Sequence, residues 1–180
     1  MEQFPEAQPP EGGGSGEALS VLARLDEAPG IGLLAAEVIV AEVGLDMSQF
    51  PTAAHFVSWA KLSPRTIQSG PRNRAGKTGK GDPYLKGALG EVAAVAARTD
   101  SFLGERYRRI ARRRGRQRAL VAVARSVLVV VWYLLNDPNA RFVDLGPDFY
   151  TRRIDKDRRA RDLVRQLRAL GHEVTLSPAA

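Results

Sequence analysis

The chain has 180 residues, with 27 Lys or Arg against 20 Asp or Glu, a net charge of +7 and no cysteine. That length allows one compact domain with a sizeable core, while the missing cysteines exclude disulfides and thiolate metal sites, and two isolated histidines, His55 and His172, make no zinc set. The charge is segregated: residues 1–60 hold nine acids and one Arg, net −8, so the remainder carries +15, an asymmetry expected where one face meets a polyanion.

Residues 1–18 are rich in Pro, Gly, Glu and Ser without an apolar run. They read as a flexible tail or linker remnant, neither signal peptide nor membrane segment. From Glu17 to Glu27 and from Leu33 to Val43, apolar residues recur at three and four, which predicts two helices. The break between them, Pro29-Gly30-Ile31-Gly32, reads as a helix-hairpin-helix turn. Gly30 and Gly32 permit a tight turn whose amides, at the start of the second helix, hold one DNA phosphate without reading sequence. Such units also serve as plain packing elements, and the acids Asp26, Glu27 and Glu37 flank this one. Thr52 is the N-cap of a short helix through Ala60 that buries Phe56 and Trp59 and leaves His55 at the surface.

A basic, glycine-rich loop follows. Between Ser63 and Lys86 there are six Arg or Lys (Arg65, Arg72, Arg74, Lys77, Lys80, Lys86) against the single acid Asp82, with Gly at 70, 76, 79 and 81. Glycines let backbone approach a bulky anion closely, and the cations suit a nucleic-acid phosphate. Ser69 sits among them. A serine hydroxyl needs activation to attack phosphorus, and neighbouring cations stabilise charge developing on the phosphoryl oxygens. The plainer alternative is a solvated loop that only touches backbone phosphates.

Asp82-Pro83 is an N-cap with proline at the first helical position, and starts a helix to about Arg98. Its positive end and free amides point toward the anion that Lys77 and Lys80 contact. Phe102 to Arg114 is a further helix, stopped by Gly115. From Arg98 to Arg118 there are nine Arg and two acids, a density at which like charges repel and a polyanionic partner is called for. Ala119 to Leu135 is nearly apolar all round; a central Arg125 and 17 residues make it a poor membrane span and a buried central helix, since its length disfavours a strand. Asn136-Asp137-Pro138 ends it. Arg141 to Tyr150 reads as an ordered loop, Arg152 to Leu170 as an amphipathic basic helix stopped by Gly171 with Ile154, Leu163, Leu167 and Leu170 on its apolar side, and the tail as one strand or none.

Ala28-Pro29-Gly30-Ile31-Gly32, Phe50 to Leu62, Gln68-Ser69-Gly70 and Gly76-Lys77-Thr78-Gly79-Lys80-Gly81-Asp82-Pro83-Tyr84-Leu85-Lys86 occur in this order between Leu25 and about Leu135. This run resembles the C-terminal transposase domain of the DEDD insertion-sequence transposases, the recombinases guided by a bridge RNA. The resemblance implies that Ser69, in the Gln-Ser-Gly match, is the residue that becomes covalently linked to DNA. It also implies that four acidic metal ligands belong to an N-terminal RuvC-like domain, so no cofactor or metal site is expected on this chain. Two residues depart from the family pattern: Pro71 stands where Gly is usual, and Lys86 where Arg is usual. The chain is too short for both domains of such a transposase, which points to a fragment, a truncated frame or an excised domain.

The expectation is therefore an all-α fold with a helix-hairpin-helix-like unit, the basic loop and a buried central helix. Its divisions are a tail over 1–18, a transposase domain over 19–136 and a basic extension over 137–180. In function it is the DNA-binding, nucleophile-bearing part of a transposase acting in DNA recombination. Ser69 attacks; Arg65, Arg72, Arg74, Lys77 and Lys80 orient the phosphate and stabilise the transition state; Lys86 also binds DNA; Arg106, Arg109, Arg112, Arg113 and Arg116 hold backbone. Expected partners are DNA, guide RNA and further copies of the full-length protein, in a bacterial cytoplasm at the nucleoid and without a membrane. The competing class is a noncatalytic DNA- or RNA-binding module with Ser69 a loop residue. A third is an oligomerisation domain whose basic helices meet acidic protein.

Overall fold

The computed structural model describes residues 20–63, 66–69, 72–76 and 78–177, and for 66–69 and 72–75 it describes the backbone alone. Among these residues the chain forms eight helices and one two-stranded ribbon, so the helical fold class stands.

Each early helix has a local reason to start. Ser20 caps α1 (Val21–Asp26) by accepting from the Ala23 amide at 3.2 Å, and a tight turn with Gly30 at φ 91° leads to α2 (Leu33–Val43). Thr52 opens α3 (Ala53–Trp59) as the threonine predicts, its side chain accepting from the His55 amide. Phe56 is fully buried, but Trp59, expected inside, is 43% exposed. Phe50 and Phe56 occupy the space beneath it, and Trp59 stacks on the solvent side of Phe56 at 8° with ring centroids 5.9 Å apart.

Past the ribbon, Asp82 caps α4 (Pro83–Ala96) and Ser101 caps α5 (Phe102–Arg114). Gly115, at φ 85°, is the only residue between α5 and α6 (Arg116–Asn136). Helix α6 is the centre of the fold and packs against α1, α3, α4 and α5. That enclosure accounts for its apolar composition: Val123, Val127, Leu128, Val131 and Leu134 are buried, and Ser126 donates its hydroxyl to the Ala122 carbonyl at 2.9 Å. Trp132 donates Nε1 to the Phe50 carbonyl at 3.0 Å, tying α6 to the α2–α3 connection.

The segment after α6 folds back on α1. Arg24, only 4% exposed, donates to the carbonyls of Leu134, Asp137 and Ala140, and Glu27 pairs with Arg141 and accepts from the Phe142 amide. Residues 137–147 thus belong to the helical unit, and the chain divides between Pro147 and Asp148. The second unit holds the short helix α7 (Phe149–Arg152), where the sequence suggests loop, and α8 (Lys156–Ala169), capped by Asp155. None of the residues of α8 is buried. No strand forms in 172–177.

Candidate nucleic-acid interface

The basic segment after α3 is a ribbon where the sequence suggests loop. Strands β1 (Thr66–Ser69) and β2 (Arg72–Ala75) pair antiparallel, with Thr66 opposite Ala75, Ile67 opposite Arg74, Gln68 opposite Asn73 and Ser69 opposite Arg72. The β-branched Thr66 and Ile67 favour extended backbone, and the pairing satisfies backbone groups that a loop leaves to water. Ser69 therefore ends β1 and Arg72 begins β2. Arg65, Gly70, Pro71 and Lys77 lie outside the described residues.

The base of the ribbon is tightly built. α3 ends in a Schellman turn: Leu62 N–H bonds the Val57 carbonyl at 3.1 Å and Lys61 N–H the Ser58 carbonyl at 3.1 Å, with Lys61 itself left-handed at φ 57°. Gly79 and Gly81 press on this turn. A Cβ on Gly81, whose φ is +54°, would come within 2.8 Å of the Ala60 carbonyl oxygen and 2.9 Å of Lys86 Cε. The Lys86 ammonium donates to the Gly79 carbonyl. Lys86, assigned from sequence to DNA, thus spends a donor on this chain's own backbone.

The amino end of α4 is also more occupied than the sequence suggests. Pro83 has no N–H, the Leu85 amide goes to Asp82 Oδ1 at 2.7 Å, and the Lys86 amide goes to the Asp82 carbonyl at 3.2 Å. The cap that starts the helix places a carboxylate where the amides would meet an anion, so what remains for a phosphate here is chiefly side-chain cation. Lys80 is exposed, as is Lys61, a cation that precedes Ser63, and Tyr84, in the first turn of α4, is 72% exposed.

Gly30 and Gly32 take different roles. A Cβ at Gly30 would lie 2.5 Å from the Val92 carbonyl oxygen and 2.9 Å from the Ala96 nitrogen, so this glycine is required by the close approach of the α1–α2 turn to α4. Gly32 faces open space and forms the N-cap of α2 without a side-chain cap.

The arginines at the α5–α6 corner differ in exposure. Arg108 is held by Glu105 at 2.9 Å, by Asp100 at 3.6 Å and by the Thr99 carbonyl at 3.3 Å, a structural set. Arg106 is half-buried, whereas Arg109, Arg112, Arg113, Arg114, Arg116 and Arg118 are exposed. Three of these close α5, where cations also favour the helix dipole, and that term alone does not call for so many. Among the described residues there is no group of three or more Asp, Glu or His side chains that could hold a metal ion. Among the described residues, Glu27 and Asp46 are carboxyls with shifted titration. Partial burial pushes the Glu27 carboxyl up, but the hydrogen bonds from Arg141 and Phe142 and the charges of Arg141 and Arg24 outweigh it and hold the group below its ordinary range. Hydrogen bonds from Ser48 lower Asp46.

Residues 22–108 match the model of the IS116/IS110/IS902 transposase family. Two curated relatives align with 63% of the chain: the insertion element IS110 uncharacterized 43.6 kDa protein of Streptomyces coelicolor, 34% identical over 115 residues, and a protein of Pseudomonas aeruginosa named "Probable family 20 transposase", 33% identical over 119 residues. The alignments span 28% and 35% of the length of these relatives. From α1 through the ribbon to α5, the chain is thus a domain similar to that of the IS116/IS110/IS902 transposases.

Proposed function

We infer that this chain is the DNA-handling, nucleophile-bearing domain of a transposase, acting in DNA recombination through a phosphoserine at Ser69. The observation that supports this reading is the similarity to transposases over 22–108, a segment that includes the Ser69 strand and the cations at its base. In the exchange, the Ser69 Oγ–P bond forms as a P–O bond to deoxyribose breaks, the Oγ proton passes to a base, and the leaving oxygen takes a proton. Arg65, Arg72, Arg74, Lys77 and Lys80 supply positive charge for the phosphoryl oxygens as negative charge develops there. The arginines of the α5–α6 corner, with the α1–α2 turn as a helix-hairpin-helix element, hold DNA backbone and leave sequence choice elsewhere. In this reading the metal ligands, the guide RNA and the contacts among copies belong to a longer protein, and its place is the bacterial cytoplasm at the nucleoid.

The test has two arms. The chain alone is expected to bind duplex DNA with little sequence preference and to form no covalent adduct; fluorescence anisotropy between about 50 and 200 mM salt reads the binding, which falls steeply over that range. In a full-length recombinase carrying this domain and supplied with guide RNA, a denaturing gel is expected to trap DNA on the protein, and Ser69→Ala to abolish trapping with binding nearly intact. A flat salt response would sink the nucleic-acid reading. An adduct surviving Ser69→Ala, or mapping to Ser63 or Tyr84, would overturn the assignment of the nucleophile.

A further inference from the structure

We propose that Lys86 is the positioning residue of the ribbon: its ammonium, donated to the Gly79 carbonyl, locks residues 79–81 against the end of α3 and so sets how β1 and β2 are presented. The inference deepens the reading above and rests on it for its functional meaning, though the lock itself is a property of the free chain. Three observations converge on it. The first is the bond itself, a charge-assisted hydrogen bond from a half-buried lysine on α4 to backbone seven residues earlier. The second is that the side chain and the segment fit each other, since Lys86 Cε and the Ala60 carbonyl leave no room for a Cβ on Gly81, whose φ of +54° already suits glycine. The third is Lys61, which holds a left-handed conformation uncommon outside glycine and lays its Cβ, Cγ and Cδ within 3.1–3.2 Å of a Cβ built on Gly79.

The consequence follows from chain geometry. β2 ends at Ala75 and α4 begins at Pro83, so the carbonyl that Lys86 grips lies in the short connection through which α4 holds the ribbon. On its other side the ribbon leaves α3 through the Schellman turn that Gly79 and Gly81 touch. A two-stranded ribbon is marginal without support from the rest of the molecule, and a serine that must meet phosphorus loses rate steeply when misplaced by an ångström. Lys86 therefore acts through Gly79 rather than on the nucleic acid.

Hydrogen exchange of the ribbon amides in the DNA-free chain, together with the salt dependence of DNA binding, tests this for Lys86→Met, Lys86→Arg and Gly81→Ala. Lys86→Met is expected to speed exchange over residues 66–75 by about tenfold or more, with α6 unchanged as the internal sign that the fold survives. Lys86→Arg, which keeps a cationic donor, is expected to restore most of the protection. Gly81→Ala, which displaces the segment while keeping the lysine, is expected to match Lys86→Met. Unchanged ribbon exchange in Lys86→Met would overturn the proposal. So would a salt slope lowered by about 0.9 in Lys86→Met but not in Gly81→Ala, the mark of a direct phosphate contact. Should the parent chain bind no DNA, the nucleic-acid reading falls while the exchange result still decides the lock.

Discussion

Arg24 Nη1 donates to the Leu134 carbonyl at 2.6 Å, joining the first helix to the end of the central one across 110 residues. The same nitrogen reaches the carbonyls of Asp137 at 2.9 Å and Ala140 at 3.3 Å. The last carbonyls of a helix have no partner within it, and here a buried cation supplies one. The amphipathic spacing of α1 makes position 24 an inward one. Nothing local says that the inward residue is a guanidinium closing α6.

Arg24→Met is expected to lower stability by about 2–4 kcal/mol, because the carbonyls stay buried after their donor is gone. Arg24→Lys is expected to recover part of the loss through a single ammonium. Urea denaturation followed by circular dichroism measures both; a loss under about 1 kcal/mol for Arg24→Met would mean that water already satisfies those carbonyls.

Glu27 makes the same clamp sensitive to acid. Its carboxyl is held below its ordinary range in the folded chain, so the unfolded chain binds the proton more readily. The contribution is present above the unfolded value and is lost as pH falls through the lower folded one. Glu27→Gln is expected to flatten the decline of unfolding free energy between neutral pH and about pH 3. An unaltered pH profile in that variant would show that the pair with Arg141 carries no pH-linked stability.

The two glycines of the α1–α2 turn should part company. Gly30→Ala must fit a Cβ against the Val92 carbonyl at a φ of +91°, and is expected to cost about 2–4 kcal/mol. Gly32→Ala meets nothing within 4 Å and is expected to cost under about 1 kcal/mol. If Gly32→Ala nonetheless weakens DNA binding at constant stability, the open end of α2 is a contact; if neither stability nor binding moves, the turn is a packing element only.

Replacing Arg112, Arg113 and Arg116 together by Gln is expected to reduce the slope of log affinity against log salt by about 2.7, near 0.9 for each phosphate released. Thermal unfolding should move little, since all three side chains are exposed. An unchanged slope would assign these residues to the helix dipole and solubility rather than to DNA.

Two helix starts and one helix stop are legible because each is a local event. Thr52, Asp82 with Pro83, and Gly115 act on backbone within four residues of themselves, and no distant contact is needed for a cap or a left-handed stop. The segregation of charge and the central place of the apolar α6 were equally plain, since both depend on composition along one stretch. The ribbon is not legible in the sequence because strand pairing joins Thr66 to Ala75 through backbone, while glycines and cations along the same segment signal a loop. The aromatic pattern of α3 places Trp59 inside, yet Phe50 and Phe56 fill that space. Gly30 and Lys86 show the same division at closer range. Residue type told that one could turn tightly and the other could carry charge to a phosphate. Only the packing of Val92 against the turn, and of Gly79 beneath the ammonium, decided what each does, because burial and hydrogen bonding depend on which surfaces the folded chain brings together.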